Sequence, residues 1–239
     1  MIPLRDDIPA RRTPVVTWAL IAINVLVFLY EKSLPPRALE DLVFLRGLVP
    51  ARYTDPGWAA SAGFPPDHYL SFLTCMFLHG SWLHVIGNMW SLWIFGDNVE
   101  DRMGPLRFLL FYVLCGLAAG VLHVVTNASS QVPTVGASGA IAGVLGAYFI
   151  LFPHARVLTL VPLLFIPFFF ELPAIVFLLI WFGLQLLQAW SGLGAEGMGG
   201  GVAWWAHVGG FAAGILLHRL FLDRRPAPRL PGGRVDPGR

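Results

Sequence analysis

Six apolar runs, each close to the length of a bilayer-spanning helix, constrain this chain more than any other feature. They cover approximately residues 14–31, 82–99, 105–126, 138–153, 172–190 and 203–222. About twenty residues at 1.5 Å rise cross roughly 30 Å of hydrocarbon, so the shorter runs need extension by interfacial turns. Of the 239 residues, 56% are hydrophobic and 13% charged, against roughly 25% charged in a soluble domain. That excludes a water-soluble globule, and the recurrence of the runs along the whole chain excludes a single anchor. The expected fold is an all-α polytopic membrane protein built as a bundle of six transmembrane helices.

Thr13-Pro14 and Gly104-Pro105 mark two helix starts, because proline in a first turn loses no helical hydrogen bond. The stretch Val157–Trp190 is harder: its 34 nearly unbroken apolar residues exceed one span and fall short of two. Pro162, Pro167 and Pro173, with Glu171, interrupt its first half. Val157–Phe170 is therefore expected at the inner interface or partly re-entrant, with a fifth helix from near Leu172; two short helices are the alternative.

Basic residues orient the bundle. Arg5, Arg11, Arg12, Arg102, Arg107, Arg156 and the six arginines from Arg219 onward fall on one side. Lys32, Arg37, Arg46 and Arg52 fall on the other, in one loop that also holds five acids, Glu31, Glu40, Asp41, Asp55 and Asp67. Both termini are thus expected in the cytoplasm. Residues 1–13 form a cytoplasmic segment, 14–222 the membrane domain with an outer loop at about 32–81, and 223–239 a disordered tail. The first run follows three arginines but lacks a small-residue cleavage site, so it reads as a retained anchor. Within the outer loop, Arg37–Leu48 has an amphipathic rhythm suited to the headgroup region, with Trp58 as an interface anchor. A net charge of +2 gives no reason to expect a nucleic-acid partner. Cys75 and Cys115 form no disulfide or CxxC pattern and read as packing residues.

Polar groups inside a span are costly and mark candidate sites. In this topology the second, fourth and sixth spans begin outside. The second carries His84 and Asn88 near its start, the fourth opens with Ser138, and the sixth carries His207 four residues in. All lie within about 10 Å of the outer helix ends. His84 and Asn88, four apart, share a helix face. Gly139, Gly143, Gly146 and Ala147 form a small-residue stripe after Ser138, and Gly210 and Gly214 share the face of His207. The fourth and sixth helices can then pack closely, with hydroxyl and imidazole in one seam. A serine needs a base to become a nucleophile, and neutral histidine suits that task. Ser138 also stands at a helix start, where free N–H groups can receive an oxyanion. No acid lies in the outer half of these three spans, so a Ser–His dyad is expected instead of an acid-completed triad.

Three segments carry a family resemblance: Gly136-Ala137-Ser138-Gly139, the run from His79 through His84 to Asn88, and Ala206-His207-Val-Gly-Gly210 through Gly214. Together, in this order, they resemble the rhomboid family of intramembrane serine proteases, over Pro14 to Leu222. The resemblance implies a rhomboid-like bundle, Ser138 as nucleophile and His207 as general base. It also implies an oxyanion hole lined by His84 and Asn88 with the Ser138 N–H, and support from His79. The expected activity is endopeptidase cleavage in or near transmembrane segments of other membrane proteins, with the lipid bilayer as surroundings and no metal, cofactor or ATP. Two features depart from the family pattern. The first outer loop lacks an evident Trp-Arg pair, and Ala142 stands where some members place a tyrosine against the histidine, leaving imidazole orientation without an explanation.

Blander readings exist for each residue. Ser138 and His207 could be interhelical hydrogen-bonding groups, and His84 and Asn88 structural ones. His123 and His218 read as packing or inner-interface residues, and Asn24, Gln185 and Gln188 as interhelical bonds. A metal site at His79, His84 and His207 lacks any HExxH or completing ligand, and a GxSxG elbow for an α/β hydrolase is missing. A channel would want polar residues along a continuous path, and a catalytically silent rhomboid-like protein binding membrane clients is the remaining rival. Ser191–Val202, rich in glycine, is expected to act as a lid.

Overall fold

The computed structural model describes residues 1–65, 69–163, 166–191 and 203–223. In chain order these form β1 (Ile2–Asp6), α1 (Val15–Ser33), α2 (Pro36–Arg46), α3 (Ala51–Thr54), α4 (Pro56–Ser61), α5 (Ser71–Thr74) with a following 3₁₀ turn at Cys75–Phe77, α6 (Trp82–Met103), α7 (Pro105–Thr126), α8 (Ser138–Leu151), β2 (Arg156–Leu163), β3 (Ile166–Pro173), α9 (Ala174–Ser191) and α10 (Trp204–Phe221). The six longest helices coincide with the six apolar runs. Of these, α1, α7 and α9 are long and apolar enough by themselves to cross a membrane, while α8 is apolar but only 14 residues long. Large apolar side chains such as Leu26, Leu106, Leu187, Leu216 and Leu220 point outward. That is the arrangement expected of a membrane-embedded protein, whose solvent is lipid.

Helix α8 is the centre: every residue from Gly139 to Tyr148 is buried. Its small side chains allow α10 to approach until backbones touch. A Cβ on Gly210 would overlap the Gly139 carbonyl oxygen, and one on Gly214 the Gly143 carbonyl oxygen. One on Gly146 would overlap the Phe211 carbonyl. α7 packs beside both helices and supplies Cys115 against Gly143 and Ala119 against Gly139. Both cysteines are free and buried, in keeping with a packing role.

The chain is mostly but not purely helical. β1, β2 and β3 form an antiparallel sheet in that order, so the all-α expectation is corrected, and 157–163 and 166–170 are paired strands instead of short helices. The cause is local. Pro162 and Pro167 stand opposite each other in the two strands, and inside a helix each would remove a backbone hydrogen bond and clash with the preceding turn. Around them, Val157, Val161, Ile166 and Phe168 to Phe170 favour extended backbone. The segment before the first span then adds a third strand, Ile2 facing Leu160.

This sheet gathers one end of the bundle. Asp6 accepts hydrogen bonds from Asn98 Nδ2 at 2.7 Å and from the Tyr148 hydroxyl at 2.5 Å. Burial, opposed by the Tyr148 bond, raises its carboxyl to about 6. The Glu100 carboxylate caps α1 by accepting the Val16 and Thr17 N–H groups at 3.0 and 2.8 Å. Arg12 meets Asp223 at 3.3 Å, so both ends of the membrane domain lie together.

At the other end, the segment from α2 to α4 packs upon itself. Val49, Ala59 and Phe64 form a small core with Phe44 and Trp58. Trp58 thus helps to fold the loop, with its ring centroid 5.7 Å from that of Phe64. The Gly-rich stretch 192–202, expected as a lid, and the tail from 224 onward lie outside the described residues.

Candidate active site

Ser138 is the first residue of α8, and the segment leading to it is held from three directions. Leu48 and Thr134 exchange two backbone hydrogen bonds, at 2.9 and 2.8 Å, and Gly136 N–H donates to the Cys75 carbonyl at 2.8 Å. The Thr134 hydroxyl pairs with His123 Nε2 at 2.8 Å. Leu48 and Cys75, from the segment between α1 and α6, therefore brace the turn before the serine. His123 lies in the last turn of α7, buried at the serine end of the bundle as a packing residue. The first backbone bond of α8 runs from Ile141 N–H to Ala137 O, so the Ser138 N–H lies ahead of the helical ladder at its positive end.

Four residues into α10, His207 projects across the glycine seam. Its Nε2 lies 2.8 Å from Ser138 Oγ. Its Nδ1 lies 2.6 Å from Oε1 of Gln185, which projects from α9. Two rings confine the imidazole: Trp181 at 6.1 Å between centroids with planes 32° apart, and Trp204 edge-on at 5.9 Å. Ala142, which sets no tyrosine ring against the histidine, is fully buried against Gly210. The histidine is oriented from α9 instead of from α8.

His84 and Asn88 approach from α6. An ideal Cβ on Gly136 would stand 2.6 Å from His84 Nε2 and 3.6 Å from Asn88 Nδ2, so both side chains converge on the backbone two residues before the serine. Gly136 has φ +131°, a conformation that L side chains rarely adopt. Asn88 Nδ2 donates to His79 Nε2 at 3.0 Å, and the His79 N–H donates to the Glu31 carboxylate at 3.2 Å. Burial, reinforced by the nearby His84 ring, pushes His79 down to about 4. It is neutral at pH 7, and the nitrogen facing Asn88 acts as acceptor.

The expected residues Ser138, His207, His84, Asn88, His79, Gly136, Gly139 and Gly210 thus meet at one end of the bundle, while Gly214 packs one turn deeper against Gly143. Both ring nitrogens of His207 are occupied by Ser138 and Gln185. Two contributors were not foreseen in these roles. Gln185 does make an interhelical bond, but to the histidine, and a glutamine one turn after Trp181 on an apolar span was the available signal. Glu31, buried at the end of α1, carries no signal in the sequence that separates it from the charges of the following loop. Asn24 and Gln188 make no interhelical bond among the described residues: Asn24 donates to Leu20 O in its own helix at 2.8 Å, and Gln188 is exposed.

A family profile described as Rhomboid domain matches residues 66–224. Three named proteins are similar in sequence. Rhomboid protein 1, mitochondrial, of Saccharomyces cerevisiae is 29% identical over 62% of this chain and 40% of its own length. The putative rhomboid protease YdcA of Bacillus subtilis is 31% identical over 58% of this chain and 62% of its own. Rhomboid protease GluP of Bacillus subtilis is 32% identical over 56% and 24% respectively. The chain spans less than two thirds of the length of each.

Proposed function

The chain belongs to the rhomboid family, and on that premise we propose that it is an intramembrane serine endopeptidase that cuts other membrane proteins in or beside their transmembrane segments. The single observation that carries the reading is the 2.8 Å approach of His207 Nε2 to Ser138 Oγ, within the range for nucleophile and base. The six long helices cross the membrane with both termini in the cytoplasm and the dyad at the outer face of a plasma membrane.

His207 removes the hydroxyl proton as Ser138 Oγ attacks the scissile carbonyl. The oxyanion of the tetrahedral intermediate lies against the Ser138 N–H and the donors of Asn88 and His84, near Gly136. His207 then protonates the leaving amine, and water admitted from the outer side hydrolyses the acyl-enzyme by the same steps in reverse order. An amide inside a helix is shielded from such an attack, so the substrate segment must unwind locally. Segments with small or helix-breaking residues near the cut are the expected substrates.

A serine-directed fluorophosphonate tests this reading. The wild-type chain should label, Ser138→Ala should not, and His207→Ala should label far more slowly; cleavage of a helix-destabilised membrane substrate should follow the same order. A folded wild type that neither labels nor cuts would identify a silent client-binding member of the family.

A further inference from the structure

We infer that Gln185 is a positioning residue for this site: its side-chain oxygen selects the His207 tautomer that can act as base, making the working unit Ser138–His207–Gln185. The inference rests on the serine-protease reading and deepens it. Neutral imidazole has one donor and one acceptor nitrogen, and only the form with its proton on Nδ1 leaves Nε2 free to take the proton from Ser138. Nothing in an isolated dyad enforces that form. Here Nδ1 faces Gln185 Oε1 at 2.6 Å while Nε2 faces Ser138 Oγ at 2.8 Å. An amide oxygen can only accept, so Nδ1 must donate.

Among the described residues the surroundings offer no substitute. None of α7, α8, α9 and α10 contains Asp or Glu. The titratable groups that act on His207 are His84 from α6 and His123 from α7, and the flanking Trp181 and Trp204 present rings. Gln185 is itself 7% exposed, and a buried amide of this kind is costly unless bonded. Trp181, one turn earlier on the same face of α9, fixes the plane of the imidazole while Gln185 fixes its proton. A neutral orienter also differs in consequence from a carboxylate: it directs the ring without adding a charge that would favour the imidazolium.

The test uses the full chain in lipid vesicles with a helix-destabilised membrane substrate, reading kcat and KM from pH 4 to 9, with fluorophosphonate labelling and thermal midpoint as parallel measurements. Gln185→Leu should lower kcat by about 10²-fold, the low end for loss of general-base function because the tryptophans still hold the ring, with KM within about twofold. Gln185→Glu should restore turnover at neutral pH and move the acid limb of kcat upward by about one pH unit or more, since a carboxylate beside the imidazole favours its charged form. Wild-type kcat and pH profile in folded Gln185→Leu would overturn the inference. So would an unmoved acid limb in Gln185→Glu, which decides the matter if the leucine variant does not fold. A wild type that never labels removes the serine-protease reading itself, and the inference with it; a labelled wild type with unaltered variants removes the inference alone.

Discussion

Gly210 of α10 rests directly on the carbonyl oxygen of Gly139 in α8, with no space for even a methyl group between the two helices. Because His207 lies one turn before Gly210 and Ser138 immediately before Gly139, this contact sets the separation of hydroxyl and imidazole. Gly210→Ala should push the helices apart. Overpacking of this kind costs about 1–3 kcal/mol, and a displacement near 1 Å can cost about 10²-fold in rate. Turnover should therefore fall much further than the thermal midpoint; an alanine variant with wild-type kcat would show that the contact does not govern the dyad.

Two glycines with positive φ separate backbone strain from crowding. Gly63 has φ +80° and open space around its missing Cβ, whereas Gly136 has φ +131° and His84 Nε2 2.6 Å from that position. Gly63→Ala should cost about 1–2 kcal/mol for the strained backbone and leave kcat intact. Gly136→Ala should add displacement of His84 and loss of most activity. Equal kinetics in the two folded variants would argue against convergence of His84 on the serine turn.

His79 makes the fold acid-sensitive. Its folded value is lowered to about 4, chiefly by burial and then by His84, while an unfolded histidine titrates near 6.5. The unfolded chain therefore takes up this proton first. The stabilising contribution is complete above about pH 6.5 and is lost as pH falls through about 4. The thermal midpoint should decline across that window, and His79→Asn, which does not titrate, should flatten the decline. Parallel curves for the two proteins would assign the acid sensitivity elsewhere.

Much of the helical framework was legible in the sequence because lipid imposes a simple rule: backbone polar groups must be satisfied within the segment, so apolar runs of sufficient length become helices. The same rule made Ser138, His207, His84 and Asn88 conspicuous, since each is a costly intrusion near one end of such a run. The strands β2 and β3 are not legible in the sequence, because an apolar run broken by prolines fits an interfacial segment as well as a sheet. Its prolines and Glu171 argue against a span, but only the pairing of β2 with β3 and of β1 with β2 makes it a sheet, and pairing is a long-range property.

The linear order of residues determined which groups stand on which helix and at what depth, since rise per residue is fixed by backbone geometry. Which groups touch was decided by tertiary packing. Gln185 lies 22 positions from His207 in the chain, and its side chain reaches the imidazole because α9 and α10 meet at that level, with Trp181 filling the neighbouring space. Likewise Glu31 joins His79, and Leu48 joins Thr134, because the loop from α2 to α5 folds back over the serine turn. Hydrogen bonds between side chains of separate helices depend on distance and angle within tenths of an ångström, and periodicity along one helix carries no such information about another.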